Sequence, residues 1–151
     1  MDKIHMTWNE FESDITEFVE YMKKIKFDKD SVILGLKRGG LPSAVYLSNK
    51  LDIPISLVSF QTRDNNDVEP KFLEPEIIKN TKNVIIVDDI YDSGLTVDTL
   101  IDELGTQFNK PFKNIAGLFH YGTPKLQDSK LKYYRRISSN KNKWVVFPWE
   151  S

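Results

Sequence analysis

Apolar residues recur along this chain with two different periods, and those periods define its elements. Near the start, Phe11, Ile15, Phe18, Val19, Met22 and Ile25 follow the spacing that stacks side chains on one face of an α-helix. Thr7 and Glu10 precede that run at the spacing of a capping box, in which each side chain satisfies the other residue's backbone N–H. An amphipathic helix packed on the domain is predicted here, with a structural role. After the charged turn Asp28-Lys29-Asp30, Val32-Ile33-Leu34 is unbroken and apolar, and so is Val84-Ile85-Ile86-Val87. Strands without polar alternation are covered on both faces, as in a parallel sheet flanked by helices. Pro54 to Phe60 predicts a third strand with partial alternation, Asn114 to Tyr121 a fourth and Lys132 to Ile137 a fifth. Between strands, Leu41, Ala44, Val45, Ser48 and Leu51 predict the inner face of a helix that Pro42 helps to start. Val97, Leu100, Ile101 and Leu104 predict another, with Gly105 as its stop. Strands alternating with helices give the α/β class.

The chemistry should lie where the central apolar run ends. Asp88 and Asp89 stand there, and in open α/β sheets ligands bind just beyond the carboxyl ends of strands. Alternation along a strand turns the two carboxylates apart unless the backbone has already turned, which gives them separate jobs. Asp92-Ser93-Gly94-Leu95-Thr96 then opens the next helix. Small residues at a helix start leave backbone N–H groups aimed at one spot, with the positive end of the helix dipole behind them, so an anion fits. Ser93 and Thr96 add hydroxyl donors, while the Gly-Lys-Ser/Thr signature of nucleoside triphosphate loops is absent. A phosphomonoester beside sugar-binding acids points to a ribose phosphate. Asp92 also reads as an ordinary helix N-cap.

A second strand-to-helix turn, Lys37-Arg38-Gly39-Gly40, combines positive charge with glycines that let a backbone approach a ligand, which suits pyrophosphate. A tight turn with exposed basic residues is the plainer alternative. From Gln61 to about Asn80 the chain turns polar, with Asn65-Asn66, Pro70 and Pro75, and a connection of that length is often a lid.

Composition narrows the setting. With 151 residues, 40% of them hydrophobic and 28% charged, the chain is expected to form one globular domain with a sizeable core. No cysteine is present, which removes disulfides and thiolate metal sites and fits a reducing, cytoplasmic compartment. No run approaches the roughly 20 apolar residues that span a bilayer, so no membrane partner is expected. A net charge of −1 argues against a generally nucleic-acid-binding surface. The exception is a stretch from Ser129 to Trp149 with no acid, where Lys130, Lys132, Arg135, Arg136, Lys141 and Lys143 crowd together and could attract phosphorylated ligands or RNA.

Val84 to Thr96 resembles the signature by which type I phosphoribosyltransferases bind phosphoribosyl pyrophosphate (PRPP): an apolar strand, two acids, then Asp-Ser-Gly-x-Thr. The resemblance implies a mostly parallel, Rossmann-like sheet flanked by helices in a single domain over 1–151, with a flexible lid near 61–80 and a small C-terminal hood largely from 121 to 151. It implies that Asp92, Ser93, Gly94, Leu95 and Thr96 hold the 5′-phosphate, and that Asp88 and Asp89 take the ribose hydroxyls, Asp89 reaching Mg2+ through water. Asp92 is then also catalytic, exchanging a proton near the purine N7. Lys37, Arg38, Gly39 and Gly40 match the pyrophosphate loop, where similar enzymes often carry a non-proline cis peptide, here the Lys37–Arg38 bond.

Lys143-Trp144-Val145-Val146-Phe147-Pro148-Trp149-Glu150 resembles the hood of the xanthine, guanine and hypoxanthine phosphoribosyltransferases. By that match Trp144 stacks on the base, Val145 offers backbone groups and Glu150 stands near base and metal. Where those enzymes carry a lysine for the purine 6-oxygen, this chain has Tyr121, with Lys125 a few residues on. A phenol also donates one hydrogen bond but is neutral. The expected reaction joins a 6-oxopurine to PRPP with Mg2+, in a homo-oligomer, dimer or tetramer. Two alternatives keep the fold: a nucleotide-sensing RNA-binding regulator, and a transferase for another acceptor base.

Overall fold

The computed structural model describes residues 2–62, 68–91, 94–122, 131, 133–135 and 143–150. In chain order the elements are β1 (Asp2–His5), α1 (Trp8–Lys24), β2 (Ser31–Leu36), α2 (Leu41–Leu51), β3 (Ile55–Thr62), β4 (Val68–Phe72), α3 (Pro75–Lys79), β5 (Asn83–Tyr91), α4 (Leu95–Phe108), β6 (Asn114–Gly122), β7 (Tyr133–Arg135) and β8 (Lys143–Val146), then a short 3-10 turn Pro148–Glu150. Six strands form one sheet in the order β4-β3-β2-β5-β6-β7. Within it β2, β3, β5, β6 and β7 run parallel and only β4 is antiparallel. This is the α/β architecture that the apolar runs predict.

Unbroken strands feed two cores at once because successive side chains leave a strand on opposite faces. Ile85 and Val87 join Phe11, Ile15, Phe18 and Leu47 on the side of α1 and α2. Val84 and Ile86 join Val97, Leu100 and Leu104 on the side of α4. All four of these strand residues are fully buried. The capping box at Thr7 forms as predicted, with Glu10 N donating to Thr7 Oγ1 at 3.1 Å and Thr7 N donating to Glu10 Oε1 at 3.1 Å.

The structure departs from the sequence reading at several points. Val45 is 49% exposed, and the inner face of α2 is carried by Ser43, Ala44 and Leu47. Ala44 and Leu51 of the predicted stripe do face the core, so Val45 alone of its five residues is exposed. Gly105 does not stop α4, which runs on to Phe108 and ends at Asn109 in the left-handed conformation. Asn is the usual substitute for Gly at that place. Most of the expected loop over 61–80 is regular: β3 extends to Thr62, β4 returns beside it in the register Thr62↔Val68 to Val58↔Phe72, and α3 follows. Pro70 fits because β4 is an edge strand. β5 does not end before its acids but continues through them to Tyr91.

The N-terminal residues, to which no element was assigned, form β1 and pair in parallel with β8 in a separate two-stranded sheet, Asp2↔Lys143 to His5↔Val146. The sheet that carries β8 is thus built from both ends of the chain.

Candidate active site

The turn after β2 and the tip of β5 meet at the carboxyl end of the sheet because these two strands are adjacent and parallel. At the tip of β5, Asp88 Oδ1 accepts from Asp89 N at 2.8 Å and Asp89 Oδ1 accepts from Ile90 N at 2.8 Å. Each carboxylate is thus folded back onto the N–H of the residue that follows it. Burial, then the neighbouring charge of Asp89, raises the Asp88 carboxyl well above the ordinary carboxylate value.

The turn after β2 leans on this tip. A side chain at Gly39 would overlap the Asp89 carboxylate, and one at Gly40 would overlap the Val87 carbonyl. Gly40 therefore requires glycine by contact with backbone, whereas at Gly39 the obstacle is the end of a side chain. The Lys37–Arg38 peptide is cis, as the resemblance implies. Lys37 and Arg38 are exposed, and among the described residues neither forms an ion pair. Two exposed cations thus stand beside an acid tip.

On the other flank, α4 starts at Leu95 behind Gly94, whose φ of +84° suits glycine. A side chain on Gly94 would also meet the Tyr91 phenol. The buried Tyr91 ring braces this turn and packs edge-on against Phe119 at 5.3 Å. Leu95 and Thr96 are exposed in the first turn of α4. Asp92 and Ser93 lie outside the described residues, as do Lys125, Lys130, Lys132, Arg136 and Lys141.

The hood residues divide. Trp144 is 59% exposed, whereas Val145 is buried and paired with Ile4. Phe147 and Trp149 stack at 5.0 Å, and Trp149 meets Phe11 edge-on at 5.3 Å, so this tryptophan closes the core against α1. Glu150 Oε1 accepts from Phe147 N at 3.0 Å, which occupies it in closing its own turn. Tyr121 is only 8% exposed and packs edge-on against Phe147 at 6.0 Å. Desolvation, followed by the charges of Glu10 and Asp14, raises its phenol, so it stays protonated at neutral pH.

Sequence reasoning gave no role to Asp14, Ser43 and His120, which meet in the core just behind these loops. His120 Nδ1 stands 2.8 Å from Asp14 Oδ2 and Nε2 stands 2.5 Å from Ser43 Oγ. A signal was present: Asp14 interrupts the apolar stripe of α1, and His120 follows an apolar run in β6.

The sequence pattern of the phosphoribosyl transferase domain family matches residues 7–151. The chain belongs to that family. Among phosphoribosyltransferases, the xanthine-guanine enzyme of Cereibacter sphaeroides is 25% identical over 153 aligned residues, covering 97% of this chain and 86% of its own. The orotate phosphoribosyltransferase of Staphylococcus epidermidis is 23% identical, and there the match covers 85% of this chain but 61% of the relative's length. The crystal structure of a purine phosphoribosyltransferase from Pyrococcus horikoshii superposes with a TM-score of 0.73 at 31% identity, covering 100% of this chain and 96% of that one. The fold, a mostly parallel sheet flanked by helices, is therefore that of a type I phosphoribosyltransferase.

Among the described residues of this phosphoribosyltransferase, no helix is long and apolar enough to cross a membrane, and no three acidic or histidine side chains converge as a metal site.

Proposed function

We propose that this protein transfers the 5-phosphoribosyl group of PRPP to a 6-oxopurine, forming a nucleoside 5′-monophosphate and pyrophosphate. The observation that carries the reading is the contact of Gly39 with Asp89, which sets a cationic glycine turn against the acid tip, with the left-handed Gly94 opening α4 beyond it. One loop suits each phosphorylated end of PRPP, with acids between them for the ribose.

In this reading the C1–oxygen bond to pyrophosphate breaks as a C1–nitrogen bond to the base forms, and the base gives up a proton. Lys37 and Arg38, with the backbone at Gly39 and Gly40, neutralise the leaving pyrophosphate. Asp88 and Asp89 hold the ribose hydroxyls and offer negative charge to an oxocarbenium-like transition state. Ser93, Gly94, Leu95 and Thr96 hold the 5′-phosphate with Asp92, which also takes the proton near N7. Two adjacent carboxylates that burden each other's charge fit a divalent cation, and Asp89 would hold Mg2+ through water. When bound, Mg2+ supplies charge neutralisation to the departing pyrophosphate.

Trp144 carries base stacking, since its ring is 59% exposed on β8. Tyr121 contributes at most its small accessible edge as a donor, and Glu150 acts through the turn that it closes beside Val145. The closing role expected over 61–80 falls to the β3–β4 arm, whose paired ends Thr62 and Val68 lie at the same end of the sheet as the acids.

Incubation with PRPP, Mg2+ and a panel of bases, followed by pyrophosphate release, tests the reading. Release with guanine, xanthine or hypoxanthine is expected. A second reading, transfer to orotate or another pyrimidine, is favoured by the orotate relatives and by the tyrosine at position 121. Release with pyrimidines alone would overturn the purine assignment, and release with no base would overturn the transferase itself.

A further inference from the structure

Asp14, Ser43 and His120 come from α1, α2 and β6, and none keeps more than 7% of its surface exposed. Together they make a polar layer inside an apolar core, with Phe11 stacked on the imidazole at 5.2 Å. The trio has the composition of a hydrolase triad. Ser43 is fully buried, however, so no substrate reaches its hydroxyl and a nucleophilic role is excluded. A neutral ring satisfies every group: Nδ1–H donates to the Asp14 carboxylate and the Ser43 hydroxyl donates to Nε2. Buried polar networks cost stability unless fully paired, and an apolar trio of equal volume would pack this layer without that cost. What the trio supplies instead is direction.

Its geometry shows what is directed. Ser43 is the third residue of α2, and the Lys37–Gly40 turn leads into that helix. The turn is tied to it by Leu41 N donating to Arg38 O at 3.1 Å and Ala44 N donating to Gly40 O at 3.0 Å. His120 lies on β6 between the register pairs Asp88↔Phe119 and Ile90↔Tyr121, directly across from Asp89. The first turn of α2 is thereby held to the strand that neighbours the acid tip, and α1 holds the imidazole from behind.

We propose that the Asp14–His120–Ser43 relay positions the pyrophosphate loop, fixing the start of α2 so that Gly39 rests over Asp89, with His120 as a positioning residue for PRPP. The functional part of this inference rests on the assignment of Lys37–Gly40 to pyrophosphate.

Ser43→Ala in the full chain removes one oxygen and leaves Nε2 unpaired. The expected result is about a tenfold rise in KM for PRPP, with kcat and the KM for the base near wild type. Hydrogen exchange at the amides of residues 39–41, 43 and 44 should quicken by about tenfold while the core of β5 keeps its protection. Asp14→Ala should do the same, and Asp14→Asn, whose amide oxygen still accepts from Nδ1–H, should restore wild-type behaviour. Wild-type exchange at those amides in Ser43→Ala would overturn the proposal, as would an equal quickening throughout the protein. Should Asp14→Ala fail to fold, the Ser43→Ala result decides alone. Should the wild-type protein not turn over PRPP, the functional assignment fails, and the exchange data still decide whether the relay positions the loop.

Discussion

Replacing Gly39 and Gly40 one at a time by alanine adds the same methyl group at neighbouring positions, yet the two variants should fail differently. The methyl at Gly40 would overlap the Val87 carbonyl and press on the Leu36 carbonyl, both backbone atoms of central strands. No rotamer change relieves that clash, so the turn must move away from β5. Overpacking of this kind costs about 1–3 kcal/mol, which lowers Tm by about 2–12 °C for a domain of this size. At Gly39 the obstacle is the Asp89 carboxylate, the end of a side chain that can rotate away. Gly39→Ala should therefore keep Tm within about 2 °C of wild type, in keeping with a cost below about 1 kcal/mol. In the proposed reading its damage falls on chemistry, because the rotated acid would leave the ribose and the methyl would occupy the approach to the loop. Thermal unfolding of both variants, read beside PRPP-dependent pyrophosphate release, separates the two effects. Equal Tm losses, or full activity in Gly39→Ala, would refute the contact between the turn and the acid tip.

The raised Asp88 carboxyl sets a pH dependence whose sign follows from linkage. Because the folded state holds this proton more tightly than the unfolded state, stability of the metal-free protein is lost as pH rises from the ordinary carboxylate value of 3.8 through the raised folded value. Asp88→Asn keeps an oxygen for the Asp89 N–H and should flatten that part of the curve, leaving the variant more stable at neutral pH; a wild-type Tm that fails to fall relative to the variant in this window would contradict it. Trp144→Ala should raise the KM for the base by about 5- to 150-fold, the span of about 1–3 kcal/mol for stacking, with little change in Tm because the side chain is 59% exposed. An unchanged base KM would remove Trp144 from base recognition.

The buried strands, the capped first helix and the acid tip were legible because each depends on residues adjacent in sequence. Val84 to Val87 and Thr7 with Glu10 carry their structural meaning locally. The arm at 68–72 was not legible, since Val68 to Phe72 is polar, contains a proline and becomes a strand only by pairing with β3. Nor was β1, whose partner lies at the far end of the chain. At the site, the glycines of the β2–α2 turn were readable as a close approach, but not that Asp89 is what they approach. Tyr121 was placed by analogy with a lysine, and its burial against α1 depends on packing that no local pattern reports.

Pairing of residue 2 with residue 143 also has a kinetic meaning. A contact between positions so distant in sequence carries a large loop-closure entropy, so it forms late, once the intervening chain has condensed. The six-stranded sheet, with its shorter-range parallel pairs, should mature first and the β1–β8 pair last. Pulse-labelled exchange during refolding should show β5 amides protected before those of β8, and simultaneous protection would dismiss this order of assembly.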